Sequence, residues 1–391
     1  MMFIPYSCQN ITNEDVAAVT AALRSPFLTQ GQAVPAFEQA FAARHQVNHA
    51  VAVSNATAAL HLGCLALGAG PGKRVWTSPN SFLASANCAL YCGAYIDFVD
   101  IDPATHNMSA TALAAKLEEA ERRGQLPTIV IPVDFAGLPA DLPAIRALAG
   151  RYGFRILRDA SHATGASEQN HPVGSQYADI TVFSFHAVKI ITTAEGGLLA
   201  TQDTTLAQTL ALLRSHGMTR DSGLMEHAPD GPWYYEQAML GYNYRMTEIQ
   251  AALGLSQLQR LDELHERRVA LANRYDRLLC DLPLRLPLRL PDRVSAWHLY
   301  AIELDPTRTA AARRQVFQAL RDAEIGVNVH YIPIHTQPFY RRLGFRPGDF
   351  PQAERYYAHA ISLPLFPAMT ESQQDRVAAV LNQALQRPSA P

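Results

Sequence analysis

The chain predicts an α/β protein, with a large domain built on a mostly parallel, seven-stranded sheet and a smaller α+β C-terminal domain. Three observations predict it. Short apolar, β-branched runs recur at 49–54, 74–77, 95–99, 128–133, 154–157, 179–185 and 197–201. Segments of helical period separate most of them, as parallel strands joined by helical crossovers require. The composition then shifts at 282–291, a Leu/Arg/Pro stretch that reads as a link. The expected division is 1–255 and 256–391, the second part opening with the helix that leads to that link.

Residues 1–12 read as an extended lead-in, ended at Thr12 by a helix-start pattern that includes Asp15. Helix 13–24 carries Val16, Val19 and Leu23 at helical spacing. Turn residues at 25–31 interrupt, and helix 33–45 leads into the first strand. That strand ends in SNAT (54–57), where a long apolar helix begins. Further helices are expected from Phe82 to Tyr91 and at 109–123, 142–152 and 203–214. A polar insertion at 218–237 reads as a surface loop, and a long helix is expected over 247–281, with Ile249, Leu253, Leu258 and Leu261 on its apolar side. The C-terminal pieces are a strand at 298–304, a helix at 307–323, a strand at 327–330 and a helix at 370–386.

With 48% hydrophobic and 17% charged residues, the chain can bury a large core. Charge is balanced, 33 basic against 35 acidic residues for a net −2, which gives no reason to expect a nucleic-acid or anionic-membrane partner. Five cysteines (8, 64, 88, 92 and 280) form no Cys-x-x-Cys pair, and Cys88 and Cys92 read as the packed side of a helix. No metal site is expected. The N-terminus shows neither a basic region nor a long apolar segment, so a soluble, cytoplasmic protein is the expectation.

The chemistry is expected around Lys189. It sits among Ser184, His186, Thr192 and Thr193, between two apolar runs, and is followed by the EGG triplet 195–197. Alone it also fits an exposed loop lysine. Asp159, thirty positions earlier, ends another apolar run. A carboxylate and a lysine at neighbouring strand ends suit pyridoxal phosphate: the amine binds the aldehyde as a Schiff base, and the carboxylate keeps the pyridine nitrogen protonated. Small residues at 54–57 open a helix whose free amides could cradle a phosphate, although they serve equally as an ordinary N-cap. All three features fall at carboxyl ends of predicted strands, where open α/β sheets bind ligands. Histidines at 330 and 335 lie five apart with Pro333 between them and no carboxylate nearby in sequence, a poor metal pattern.

The strings SFHAVK (184–189) and TTAEGG (192–197), with RDASHA (158–163) and GYNYRM (241–246), resemble the DegT-type nucleotide-sugar aminotransferases. The resemblance runs from residue 4 to residue 387. Within the family the chain is most similar to the pseudaminic-acid branch, which aminates C4 of a UDP-linked 4-keto-6-deoxy-N-acetylhexosamine. The resemblance implies a fold-type-I pyridoxal-phosphate transferase with ping-pong kinetics, glutamate as amino donor and pyridoxamine phosphate as the intermediate cofactor form. It implies Lys189 and Asp159 as catalytic residues, with Thr57 and Ala58 on the cofactor phosphate, Phe82 stacked on its ring, and His162 and Ser184 beside it. Asn243 would reach the partner subunit's cofactor phosphate, making the protein an obligate homodimer. Thr29, Gln30, His330, Tyr331 and His335 would face the sugar nucleotide. His162 stands where the broad family usually has glutamine, and Asp134 where many members have histidine, which leaves the role of Asp134 open. Rival readings are the same chemistry on a perosamine-type or 4-aminoarabinose-type keto sugar, or a non-catalytic regulator. The family's dehydratase branch carries histidine in place of the lysine, so Lys189 argues against it.

Overall fold

A computed structural model describes residues 3–386; the first two residues of the predicted lead-in and residues 387–391 lie outside them. The predicted seven-stranded sheet is present: β1 (His49–Val53), β2 (Arg74–Thr77), β3 (Tyr95–Phe98), β4 (Ile129–Ile131), β5 (Arg155–Asp159), β6 (Ile180–Ser184) and β7 (Gly197–Thr201). The strands lie in the order β1-β7-β6-β5-β4-β2-β3. β7 alone runs against the rest, pairing antiparallel with both β1 and β6, whereas β6-β5, β5-β4, β4-β2 and β2-β3 are parallel.

The central strands are apolar throughout because both faces are covered. Successive side chains point to opposite faces. Ile129, Ile131, Leu157, Val182 and Leu199 therefore join one core with helices α3 (Ala56–Ala66) and α4 (Ala84–Tyr91). Their neighbours Val130 and Ile156 pack with α5 (Ala110–Arg122) and α6 (Leu142–Tyr152), and Phe183 and Leu198 with α2 (Ala33–His45) and α8 (Glu248–Gln259).

A three-stranded antiparallel sheet, β8 (Leu284–Arg285), β9 (Tyr300–Leu304) and β10 (Ala360–Leu363), forms another core with α9 (Leu261–Leu279), α10 (Arg313–Asp322) and α13 (Glu371–Leu385). Helix α7 (Thr204–Arg214) follows β7, and the short helices α11 (Pro338–Arg342) and α12 (Pro351–His359) precede β10. The lead-in belongs with this core: Ile4 is buried there and bridges Ile325.

Several sequence expectations need correction. The predicted helix 247–281 is two helices, because the chain leaves helical geometry at Arg260 (φ −104°, ψ 12°), whose guanidinium is held by Asn10 and Asp15. Residues 327–330 form no strand; Asn328 makes a single bridge to Ser362. The helix expected from 307 starts at Arg313, since Asp305 binds the Thr307 amide and hydroxyl and fixes a turn instead. Helix α1 (Asn13–Leu23) has the expected capping box, but Val16 and Leu23 face solvent. It buries Asp15 and Ala22 instead, Asp15 accepting hydrogen bonds from Ser256, Gln257 and Arg260.

One buried ion pair lies directly behind the carboxyl end of β5. Arg158 points away from the α3 side and grips Asp134 with Nε–Oδ2 at 2.8 Å and Nη2–Oδ1 at 3.2 Å. Both side chains are cut off from solvent, and burial raises the Asp134 carboxyl despite its cationic partner. The role left open for Asp134 in the sequence is thus filled structurally. Removing Asp134 leaves the buried Arg158 guanidinium only the more distant Glu168, at 3.7 Å, so Asp134→Ala should cost about 3–5 kcal/mol of stability in urea unfolding. Pairing it with Arg158→Met should recover much of the loss; equal destabilisation by both variants would mean the pair contributes through packing alone.

Candidate active site

β1 runs into the turn that starts α3. Asn55 is extended (φ −169°, ψ 166°), and its Oδ1 accepts from the Ala58 amide at 2.9 Å. That leaves the Ala56 and Thr57 amides without a partner in the described chain, and both residues line a cavity. Gly197, the first residue of β7, presses on this turn. A Cβ there would meet the Asn55 carbonyl carbon at 2.5 Å and the Ala56 nitrogen at 2.6 Å. The EGG triplet therefore ends in glycine because two backbones touch.

Asp159 is the last residue of β5 and is buried. Its Oδ2 accepts from the Ser85 hydroxyl at 2.6 Å, and its Oδ1 from the Ser161 amide at 3.1 Å and hydroxyl at 2.6 Å. Ser85 in turn contacts Ser81 at 2.6 Å. Donors from α4 on one side and from its own following turn on the other hold the carboxylate in one orientation.

Lys189 lies in the turn after β6, half-buried, with Nζ 3.4 Å from His298 Nε2. Burial lowers its amine to about 8, against the pull of Asp159 that favours the charged form. His162 Nδ1 faces the Ala136 amide at 3.3 Å, so it must be the acceptor; Nε2 then carries the proton and donates to the Tyr331 hydroxyl at 3.1 Å. The Tyr331 proton is left free to point elsewhere. His330 is held by Ser362 at 2.8 Å. Burial, with Lys189 adding to it, pushes His162 and His298 well below the ordinary imidazole range and His330 down to about 4. The three imidazoles are therefore neutral near pH 7.

These groups meet on one cavity of about 750 Å³. Of the residues expected from sequence, Thr57, Phe82, Asp159, His162, Ser184, Lys189, His330 and Tyr331 line it. Phe82 precedes α4 and does not start it; its ring is largely exposed and tilted 54° to Tyr331. Ala58 lies just behind the wall, its amide already committed to Asn55. Thr29 and Gln30 are exposed and outside this cavity, on a loop tied to α8 by the Glu248 amide and the Leu28 carbonyl at 3.0 Å. Asn243 is exposed as well and does not line the chain's own cavity; its segment runs beside the end of β1, where the Ser54 amide meets the Tyr244 carbonyl at 2.8 Å. His335 is a correction. It is fully buried, bonded to Glu354 at 2.8 Å and absent from the cavity wall, because the short 3-10 turn Ile334–Thr336 rotates it into the core.

Sequence reasoning missed Ser85, His298, Tyr6 and Asn328, all on the wall. Nothing local distinguishes Ser85 from any other small helical residue. His298 was legible only as the start of a strand. Its Nδ1 is buried without a hydrogen-bond partner. Among the described residues, no group of three or more His, Cys, Asp or Glu side chains is placed to hold a metal ion, and no helix is long and apolar enough to cross a membrane.

The residues present fit pyridoxal phosphate. Two unpartnered amides at a helix N-terminus suit its phosphate, a buried three-fold-bonded carboxylate suits its ring nitrogen, and an amine lowered toward neutrality suits its aldehyde.

Comparison with known proteins agrees with this chemistry. The chain is 40% identical to the spore coat polysaccharide biosynthesis protein SpsC of Bacillus subtilis (strain 168), over 96% of this chain and 95% of that protein. Its fold superposes on Helicobacter pylori PseC, an aminotransferase involved in the biosynthesis of pseudoaminic acid, with a TM-score of 0.90 and 31% identity, covering 98% of this chain and all of that one. Streptococcus pneumoniae Spr1654, a putative sugar aminotransferase solved in pyridoxamine-phosphate and pyridoxal-phosphate forms, superposes with TM-scores of 0.89 and 0.88 at 28% identity, over 98% of this chain and 99% of that one. The family profile matches residues 9–382, and the chain belongs to the DegT/DnrJ/EryC1/StrS aminotransferase family, as a pyridoxal-phosphate-dependent sugar aminotransferase acting on a keto sugar and an amino donor.

Proposed function

We propose that the chain transfers an amino group from glutamate to the C4 ketone of UDP-2-acetamido-2,6-dideoxy-β-L-arabino-hex-4-ulose, giving UDP-4-amino-4,6-dideoxy-N-acetyl-β-L-altrosamine. The observation that carries the chemistry is the meeting of Lys189, Asp159 and the α3 turn on one cavity, with Tyr331 and His330 also on its wall. The likeness to PseC supports this sugar. The higher identity to a spore coat polysaccharide protein favours a second reading, amination of another nucleotide-linked 4-keto sugar. Assay against a panel of UDP-, GDP- and dTDP-linked 4-keto sugars separates them. Turnover best with the UDP-linked N-acetyl sugar is expected, and a clear preference for a GDP- or dTDP-linked sugar would transfer the assignment to the second reading.

In this reading the Ala56 and Thr57 amides and the Ser184 hydroxyl would hold the cofactor phosphate, Asp159 its ring nitrogen, Phe82 its face and His162 its edge. Bound pyridoxal phosphate supplies an aldehyde for capture by an amine and a ring that accepts electrons from the adjacent carbon. Lys189 contributes the anchoring amine. Once released, that amine moves a proton at Nζ, which a solvated lysine with its pKa of about 10.4 does poorly near neutrality. His298 accepts from Nζ and holds it in place. The neutral Tyr331 hydroxyl, oriented by His162, is a donor for a sugar oxygen. Tyr6 and the 328–331 segment complete the cavity wall.

Lys189→Ala removes both the anchor and the proton carrier, so turnover should fall to background even when cofactor is supplied in excess. Ordinary multiple turnover by this variant, followed as product formation, would sink the assignment. The lowered lysine also predicts a pH dependence for cofactor capture. Protons leave Nζ as pH rises, and only the free amine attacks an aldehyde. Capture of pyridoxal phosphate by cofactor-free protein should therefore accelerate with pH and level off above about 8, the value to which burial brings the amine. A rate still climbing at pH values near 10, read by stopped-flow absorbance, would mean that Lys189 titrates like a solvated lysine.

Asn243 lies outside its own chain's cavity, which supports the reading that it serves the partner subunit's site in an obligate homodimer. Mixing Lys189→Ala chains with chains carrying an inactivating Asn243 substitution should restore activity after subunit exchange. In the hybrid, one site combines an intact lysine with an intact asparagine from the other chain, while its twin carries both defects. Recovery up to about half of a normal dimer is expected if the two sites act independently. Verified hybrids that stay inactive would place Asn243 outside any shared site.

A further inference from the structure

Past Lys189, the TTAEGG string (192–197) folds into a turn that its own polar groups lock. The Thr192 hydroxyl accepts from the Ala194 amide at 2.9 Å, and Ala194 is held at φ 65°. A residue with a Cβ avoids that left-handed conformation unless its surroundings impose it. The backbone of Glu195 is fixed at three points. Its amide donates to the Thr193 carbonyl at 2.9 Å, and its carbonyl accepts from the Thr193 hydroxyl and from Gln250 Nε2, each at 2.7 Å. The Glu195 side chain is left free. It lines the catalytic cavity, yet among the described residues no hydrogen-bond donor reaches its carboxylate. His186, on the same wall, comes no nearer than 4.0 Å, between Nε2 and Oε1.

We propose that Glu195 is a specificity-determining residue, accepting hydrogen bonds from hydroxyl or amide N–H groups on the keto-sugar ring. The assignment rests on the reading that this cavity aminates a nucleotide-linked keto sugar. Two carboxylates line the cavity, Asp159 and Glu195. Asp159 already accepts three hydrogen bonds from Ser85 and Ser161, so Glu195 is the one whose acceptors are free.

Charge and depth select its partner. An ionised carboxylate only accepts hydrogen bonds, and it repels other anions. The carboxylates of an amino acid donor and the diphosphate of a sugar nucleotide are therefore poor neighbours for it. The donor's ammonium would suit it by charge but must react where Lys189 Nζ sits, 3.4 Å from the buried His298. Glu195 lies at the rim instead, with 61% of its side chain exposed. A neutral sugar ring, aminated at its ketone inside the cavity, keeps its other substituents toward that rim. The locked backbone limits how far the carboxylate can follow an ill-fitting ring. A ring that lacks the donor, or carries an acid in its place, is rejected.

The two half-reactions separate this role from others, because each changes the absorbance of the bound cofactor. Glu195→Gln keeps the shape and an acceptor oxygen but loses the charge. No hydrogen bond of the fold uses the side chain, so the variant should load cofactor normally. Enzyme loaded with pyridoxamine phosphate is mixed with the keto sugar that the unmodified enzyme turns over best. The variant should need about 10-fold more sugar for half-maximal rate, the weakening expected when a charged acceptor becomes neutral. Enzyme loaded with pyridoxal phosphate and mixed with glutamate should react as the unmodified enzyme does. Inhibition by the nucleoside diphosphate alone, which lacks the sugar, should also be unchanged. An unaltered sugar half-reaction would overturn the proposal. Equal losses in both half-reactions would overturn it too, by assigning Glu195 to the cofactor or to assembly of the site. So would weakened inhibition by the nucleoside diphosphate that accounts for the whole loss, since Glu195 would then serve the nucleotide. If unmodified enzyme consumed no keto sugar of the UDP-, GDP- and dTDP-linked panel, the keto-sugar reading would fall first and the role of Glu195 with it.

Discussion

The carboxylate of Asp159, held at the end of a central strand by hydroxyls and an amide from two sides, is the constraint on which the site depends. A buried charge needs partners, and each partner fixes an element. Ser85 fixes the start of α4 against β5, and Ser161 fixes the turn that carries His162. The strand end itself is held by the Asp134 amide on the Asp159 carbonyl at 3.0 Å, while the Asp134 side chain anchors Arg158 on the opposite face. The Asp159 carboxylate and the Arg158–Asp134 ion pair are neighbours in sequence and back to back in space.

Around this fixed anion, burial sets the charge state of the other groups. Desolvation lowers the Lys189 amine toward neutrality and keeps the three nearby imidazoles uncharged. The lysine deepens the effect on the imidazoles, because a second cation in the same dry space would be repelled. The histidines consequently act as hydrogen-bonding walls, and the His162 tautomer is set by the nitrogen that faces a backbone amide.

Much of this was legible in the sequence. The strands were, because a sheet covered on both faces demands unbroken apolar runs, and Ile129 to Ile131 or Leu198 to Ala200 can hardly be read otherwise. Lys189, Asp159 and the SNAT turn were legible because strand ends bounded by small and polar residues are chemically conspicuous. Periodicity misled where an ion pair or a turn competed with it. Arg260 breaks an otherwise helical pattern by reaching for Asp15, and the same contact turns that carboxylate to the buried side of α1 and leaves Val16 and Leu23 in solvent.

The sequence by itself determined the α/β class, the number of strands in the main sheet and the presence of an amine and a carboxylate at strand ends, since each rests on local pattern and residue chemistry. The tertiary structure decided which residues share a cavity. His298 arrives at Lys189 from 109 positions away, and Tyr331 at His162 from 169 away, contacts that no local period encodes. His335, five residues after His330 in the same motif, is carried into the core by the backbone of a single short turn. Side-chain direction over such distances follows from how the elements pack, and packing is a property of the whole chain.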